Sequence, residues 1–288
     1  MRTVRAEDLQ RFGADVFAAH GATRADALAV AGALVKASLL GHDSHGILRI
    51  GRYVEKIRRG TLHPAAQPAV RDRRGAVAVI DGGLGFGQVT ARFGAALVLE
   101  LARAHGVAAV SLSRTNHIGR LGDYAEQISA AGFVALIFAS GAGPGGAVAP
   151  HGGRERIFGT NPFAWGLPVP PGHGPLVADF STSAITEGKI GMAQAHGEPL
   201  PPGAILDREG RPTTDPAAFY AGGALLPFGG HKGFSLVLLI VLMARLLGGS
   251  VPSSSAEYQP GNPALLIALE VAAFLGAGGE SLAEVATL

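Results

Sequence analysis

Four short groups of polar residues stand apart in a chain that otherwise reads mostly as core: Asp43-Ser44-His45-Gly46 with Arg49, Asn116-His117, Thr160-Asn161-Pro162, and His231-Lys232-Gly233. Between them they offer a base, a clamp for a carboxylate and ligands for a phosphate. That inventory suits redox chemistry on a small oxo or hydroxy acid, which must move a proton, hold an anionic substrate and dock an anionic cofactor.

If Ser44 caps a helix, His45 takes the first helical position and Arg49 lies four residues on, so both project from one face about 6 Å apart. Free N–H groups and the positive dipole end would then attract a carboxylate and favour a neutral imidazole. The plainer alternative is a capped helix with a packed or solvated His45. His42 and His45 also have a metal-ligand spacing, but no third ligand stands nearby, which argues against a metal site.

Asn116-His117 follows a strand-like run and precedes a helix-like one, at a strand end where ligands gather in α/β domains. Adjacent Asn and His side chains can orient and deprotonate a hydroxyl there, or simply cap the next helix. Gly229 to Gly233 leads into an apolar helix, and a lysine beside free N–H groups makes a natural phosphate site. A surface turn with a solvated lysine fits equally. Asp179-Phe180-Ser181-Thr182-Ser183 follows a strand and could hold a ribose or an amide, with Ser183 able to be an ordinary N-cap for the helix carrying Glu187 and Lys189.

Asp81 to Gly87 looks like a dinucleotide fingerprint but has the wrong spacing, because Gln88 stands where the third glycine would be. A tight glycine turn that lets backbone approach another element is the better reading.

These groups need elements to position them. Leu9, Phe12 and Val16 recur at helical spacing until Gly21; Thr23 and Asp26 form a capping box for a helix ending near Gly41; Ser44 opens a third helix running to Gly60. From about Gly75 the period changes. Short β-like runs at Val77–Ile80, Val107–Ser113, Phe133–Phe138 and Leu176–Asp179 alternate with helix-like Gln88–His105, Arg120–Ala130 and Ala184–Ala195, and a further strand falls at Leu265–Leu269. This is an α/β pattern, and alternation by itself favours a parallel sheet. Gly141–Gly153 and Pro199–Pro216 read as loops, and Phe234–Ala244 as a buried helix.

Composition narrows the function classes. The 288 residues can form one large domain or two modest ones. There are 24 basic and 22 acidic residues, so the pI near 9.1 reflects near-balance, and the absence of a basic run argues against nucleic acid. Charged residues are only 16% of the chain, which hints at an apolar subunit interface. With no cysteine, a disulfide framework, a thiolate metal site and a cysteine nucleophile are excluded. Met1–Gln10 lacks the apolar core of a secretory signal and the longest apolar run is too short for a span, so the expectation is a cytoplasmic protein with no membrane contact.

The order and wording of the motifs resemble the malate/L-lactate dehydrogenase family of the non-Rossmann type. The resemblance rests on Gly41-His42-Asp43-Ser44-His45-Gly46-Ile47-Leu48-Arg49, Arg114-Thr115-Asn116-His117-Ile118-Gly119, Phe158-Gly159-Thr160-Asn161-Pro162-Phe163, Asp179 to Ser183 with Gly188-Lys189, and Phe228 to Gly233. It implies an α/β fold: a mainly helical N-terminal domain (1–70, joined by the C-terminal tail) beside an NAD(P)-binding sheet domain (71–270) of non-Rossmann, largely antiparallel topology, in a homodimer. It implies hydride transfer between NAD or NADP and a small anionic 2-hydroxy or 2-oxo acid, with a cyclic-imine (piperideine/pyrroline-2-carboxylate) reductase as the alternative.

By the same resemblance His45 and His117 are the proton-transfer residues, with His117 favoured for alcohol oxidation. Ser44, Arg49, Asn116, Thr160 and Asn161 face the substrate; Ser140, Asp179, Ser181, Ser183, His231 and Lys232 fall at cofactor positions; Lys189 gives polar support. The likeness runs from about Leu9 to Ala273, and Pro263 stands where the family often has histidine. Gly276 to Glu280 and the short tail to Leu288 leave a further reading, a C-terminally shortened relative that binds without turnover.

Overall fold

The computed structural model describes residues 3–141, 146–169, 172–251, 257 and 261–275. The N-terminal helices are α1 (Ala6–Ala19) and α2 (Arg24–Leu39). Thr23 caps α2 by accepting the Asp26 N–H at 3.1 Å, as the capping box predicts. The stripe on α1 is rotated from its expected position: Phe12 is exposed, while Gly13, Ala14 and Phe17 face the core. At Gly13 the two helices pack closely, since a β-carbon there would press on Ala31 at 3.1 Å.

Helix α3 (Arg49–Arg58) follows a single 3-10 turn at Asp43–His45, and β1 (Ala69–Arg74) and β2 (Val77–Asp81) come next. Strand β1 escapes the sequence reading because its six residues, Ala-Val-Arg-Asp-Arg-Arg, are all exposed and leave no alternation. Then come α4 (Gly87–His105), β3 (Val107–Ser113), α5 (Gly122–Ala130), β4 (Phe133–Ala139), β5 (Phe163–Leu167), β6 (Leu176–Phe180) and α6 (Glu187–His196). Gly106, at φ 77°, ends α4 in a left-handed cap directly after His105.

Residues 199–216, expected to be loop, contain β7 (Ile205–Leu206) and β8 (Pro212–Thr213), and α7 (Pro216–Tyr220) starts at their end. These pair with β9 (Ala224–Leu225) in a small antiparallel sheet, order β8-β7-β9. Strands of two residues are too short to announce themselves by periodicity. Helix α8 (His231–Val241) continues into a π turn at Leu242–Leu246, and β10 (Ala264–Glu270) and α9 (Val271–Leu275) follow. Leu238, Leu239, Leu242, Leu246 and Leu247 are exposed, so this helix is half-buried, where a continuous apolar run suggested full burial.

The main sheet has the order β1-β2-β3-β10-β4-β5-β6. Strands β2 and β3 are parallel and β1 is antiparallel to β2. Elsewhere strand ends meet strand beginnings: Glu270 donates to Gly106, Ser140 to Pro263, Ala139 to Pro162 and Thr182 to Thr160. The sheet is therefore mostly antiparallel, which overturns the parallel sheet that alternation alone favours and agrees with the topology implied by the resemblance.

The chain divides into two compact units, the described residues of Met1–Ile137, Ala164–Ala178 and Leu266–Leu288 forming one, and those of Phe138–Phe163 and Asp179–Leu265 the other. In the first, Phe17, Leu34, Tyr53, Leu62 and Phe86 are buried together. Phe17 stacks at 5.2 Å on Phe86 and 6.0 Å on Tyr53; truncating such a ring costs about 3–5 kcal/mol. In the second, Val148, Ile190, Ile205, Phe219 and Leu225 form a separate core under the small sheet.

Candidate active site

In the first unit the chain leaves α2 and makes its 3-10 turn over Asp43-Ser44-His45 before α3 begins. Gly46 is extended, and a β-carbon there would collide with Ser38 Oγ. That hydroxyl accepts the Ile47 N–H at 3.1 Å and fixes the turn. Ser44 is thus not the cap of a long helix, and His45 and Arg49 do not share one helical face; α3 starts at Arg49, with Leu48 before it. Glycine breaks the helix because Ser38 fills the space a side chain would need.

The two residues meet by another route. Arg49 Nε donates to the Ser44 carbonyl at 2.6 Å, and Ser44 Oγ lies 2.9 Å from His45 Nδ1. The His45 and His117 rings face each other, centroids 5.1 Å apart and tilted by 35°. Burial, then Arg49 and His42, hold His45 down to about 4. Burial, then the charges of Arg49, His45, Lys56 and Arg52, hold His117 well below the usual histidine range. Both rings are neutral near pH 7, and the cause is desolvation with positive neighbours in place of the expected helix end.

Three members of this cluster are not among the site residues expected from the sequence. Tyr53 Oη lies 2.7 Å from His117 Nδ1 and receives an N–H from Gln88 Nε2 at 2.8 Å. Lys56 Nζ donates to Asn116 Oδ1 at 3.1 Å. Burial, then Arg49, lowers the Lys56 ammonium from its ordinary value. Arg49, Tyr53 and Lys56 stand at i, i+4 and i+7 of α3, one face of a helix, and that spacing is the signal that could have found Tyr53 and Lys56.

Asn116 has a demanding position of its own. Its Nδ2 donates to the carbonyls of Thr61 at 3.1 Å and Leu84 at 2.8 Å. The loops it joins carry two non-glycine residues at positive φ, Leu84 at 59° and Arg114 at 46°, a conformation that costs energy and persists where the surroundings enforce it. Gly87 lets α4 start against this loop: a β-carbon would strike the carbonyl oxygens of Asn116 and His117. The glycine turn of Asp81–Gly87 works as read from the sequence, by close approach of backbone.

The second unit holds a different cluster. Ser140 Oγ donates to Asn161 Oδ1 at 3.1 Å and receives Arg245 Nε at 3.1 Å. Thr182 Oγ1 bonds the carbonyls of Thr160 and Asn161 at 2.9 and 3.0 Å. Asn161 is fully buried at φ 35°, and its Nδ2 has no hydrogen-bond partner among the described residues. Ser181 and Ser183 hydroxyls are 3.1 Å apart, and Ser183 Oγ donates to Ile185 O at 2.8 Å. Helix α6 begins after Thr186, so Ser183 is not its cap. Asp179 is half-buried in β6, and Lys189 is exposed on α6. His231 and Lys232 open α8 after two glycines at positive φ, 57° and 62°, and both are exposed.

A buried amide N–H without a partner, a hydroxyl pair and a lysine at a helix start form a donor set that fits a dinucleotide carrying phosphates and a carboxamide. A mostly antiparallel α/β fold with a neutral histidine pair set among cations is the equipment of an enzyme that moves a proton on an organic acid.

Comparison with known proteins supports that class. The model of the malate/L-lactate dehydrogenase family matches residues 4–287, and the chain belongs to this family. The match extends past Ala273, where the sequence reading ends the likeness. Hydroxycarboxylate dehydrogenase B of Escherichia coli is 41% identical over 256 residues, covering 88% of this chain and 69% of the relative. The solved delta1-piperideine-2-carboxylate reductase of Pseudomonas syringae superposes with a TM-score of 0.90 at 34% identity, over 100% of this chain and 88% of the other. Sulfolactate dehydrogenase of Methanocaldococcus jannaschii gives 0.88 at 30% identity, over 99% and 83%. The chain is a dehydrogenase/reductase, and its family implies a nicotinamide cofactor. No helix among the described residues is long and apolar enough to cross a membrane.

Proposed function

We propose that this enzyme transfers hydride between NAD or NADP and the carbon beside the carboxylate of a small 2-hydroxy or 2-oxo acid. The observation that carries this reading is the neutral His45–His117 pair, 5.1 Å apart and surrounded by Arg49, Arg52 and Lys56. Cations attract the acid; a neutral imidazole can take its hydroxyl proton. When bound, the nicotinamide supplies the hydride acceptor or donor.

In oxidation, His117 accepts the hydroxyl proton at Nε2, the nitrogen not facing Tyr53. Arg49 holds the carboxylate, and Ser44 fixes the ring of His45, which can pass the proton onward. Asn116, with its amide bound to Thr61, Leu84 and Lys56, keeps the His117 loop in place. In the second unit, Lys232, His231 and the first N–H groups of α8 would hold phosphate. Ser181, Ser183 and Asp179 would hold ribose or amide groups, and Asn161 Nδ2 would reach the carboxamide. Ser140 supports Asn161, and Thr160 lies beside it.

The reductase names among the relatives favour a second reading, reduction of a cyclic imine. A protonated imine gains hydride at carbon and keeps its N–H, so no base is needed. Substitution His117→Asn separates the two: it should abolish hydroxy-acid oxidation and spare imine reduction. The main test is absorbance of the reduced nicotinamide with lactate, malate, sulfolactate and pyrroline-2-carboxylate, each with NAD(H) and NADP(H). Turnover of one hydroxy acid is expected; turnover of pyrroline-2-carboxylate alone would favour the imine reading. We also read the enzyme as a homodimer, supported by the exposed leucines of α8, and as cytoplasmic, where nicotinamide pools are at hand. Sedimentation at several concentrations checks the dimer.

A further inference from the structure

Gln88 stands where a dinucleotide fingerprint would have glycine, in the first turn of α4, and is 1% exposed. Its Nε2 reaches Tyr53 Oη at 2.8 Å, and Tyr53 Oη reaches His117 Nδ1 at 2.7 Å. Gln88 Oε1 has no partner among the described residues. The three side chains make one buried line that ends on the ring nitrogen opposite the reacting one.

The hydrogens along this line can be counted. Tyr53 has one O–H; burial pushes its phenol up to about 12, so it stays protonated at neutral pH. If Gln88 donates to the phenol oxygen, the O–H is free to point at His117 Nδ1, which must then accept. The neutral ring carries its proton on Nε2. If the amide turns over, Gln88 Oε1 takes the Tyr53 O–H, the phenol oxygen takes an Nδ1–H from His117, and Nε2 presents a lone pair. Each arrangement leaves one amide atom unpartnered. An orphaned N–H is rarer in protein interiors than an under-used carbonyl, so the first arrangement is the resting one.

We propose that Gln88 and Tyr53 are positioning residues that choose the tautomer of His117, with the amide of Gln88 as the selector. This deepens the dehydrogenase reading and rests on it for the role of His117. The resting form offers an N–H that suits the carbonyl oxygen of an oxo acid. The turned form offers a lone pair that suits the hydroxyl of a hydroxy acid and can take its proton. No proton leaves Tyr53 or Gln88 in either case; their hydrogen bonds reverse direction while the ring of His117 gives its Nε2 proton to water and takes one from water at Nδ1.

The test reads the ring itself. In protein with 15N-labelled histidine, the His117 signals are assigned by their loss in His117→Asn, and their shifts report which nitrogen bears hydrogen. The free wild type should show the Nε2–H tautomer in about tenfold excess. Gln88→Glu, measured up to pH 10 so that the carboxylate can only accept, should convert His117 to Nδ1–H, while Gln88→Met should leave it Nε2–H. In a Tyr53→Phe background the Glu and Met variants should become alike. The Nδ1–H form in the free wild type, or identical tautomers in the Glu and Met variants, would overturn the proposal. The wild-type measurement can overturn the proposal even if a variant fails to fold. Because neither cofactor nor substrate is present, loss of this proposal and loss of the dehydrogenase reading are distinguishable.

Discussion

The histidine cluster of the first unit and the glycine-flanked cradle of the second are built by opposite means. Around His45 and His117, side chains bind side chains: Ser44 on His45, Tyr53 on His117, Gln88 on Tyr53, Lys56 on Asn116. Aromatic packing of Phe17 and Phe86 on Tyr53 holds the line in place. In the second unit the backbone does much of the positioning. Asn161 sits at positive φ, Thr182 pins the carbonyls beside it, and two left-handed glycines aim the start of α8. Packed side chains tune protonation by excluding water. Backbone amides provide fixed donors for an anion whatever the pH. Proton chemistry and anion binding therefore call for different construction, and substitutions in the two regions should fail differently.

The largest expected contrast is His117→Ala. Oxidation should fall by about 10²–10⁴, with nucleotide affinity measured by fluorescence nearly unchanged; normal turnover would remove His117 from its role. Arg49→Ala should come next. Loss of a charge-assisted contact of about 1.5–3 kcal/mol should appear mainly as a rise in KM for the acid, and an unchanged KM with a lower kcat would point to the Ser44 turn instead.

Gly87→Ala tests the packed region through its backbone. A methyl between α4 and the Asn116–His117 carbonyls should cost about 1–3 kcal/mol, seen as a lower Tm together with lower kcat. A silent variant would mean that the loop can yield. In the cradle, Lys232→Ala should weaken nucleotide binding by less than about tenfold, because helix N–H groups remain. It should also flatten the salt dependence of Kd and leave the pH profile alone.

The smallest effect is on stability against pH. His45 and His117 have folded-state values below their unfolded values. As pH falls from about 6.5 toward 4, the unfolded chain takes up protons that the folded chain resists, so stability drops across that window. A Tm series should show the decline, and His45→Asn should make it shallower.

Much of the scaffold was legible. The capping box of α2, the strand at Val107–Ser113 and the left-handed end of α4 all follow from local rules, because each depends on residues within one turn or one strand. The rotated face of α1 was not legible, since Leu9, Phe12 and Val16 satisfy the helical period as well as Gly13, Ala14 and Phe17 do. Small residues carry little hydrophobic signal, yet Gly13 and Ala14 are what α2 packs against. Of the site residues quoted from the motifs, Ser44, His45, Arg49 and His117 touch in the first unit, and in the second Ser140 bonds Asn161, Thr182 bonds the carbonyls of Thr160 and Asn161, and Ser181 meets Ser183. Tyr53 and Lys56 were missed because they lie outside the motifs and look like ordinary helix residues, and Gln88 because it was read only as the residue that spoils a glycine fingerprint.

The chain by itself determined which side chains exist to do chemistry, the absence of thiols, the alternation of helices and strands, and, through its ordered motifs, the family. Tertiary structure decided the rest. Antiparallel pairing depends on which strand ends meet, a long-range matter that no local period records. The neutrality of His45 and His117 depends on burial beside Arg49, Arg52 and Lys56, residues 4 to 68 positions away in the chain. Solvent exclusion and charge proximity are properties of distance in space, and only folding sets those distances.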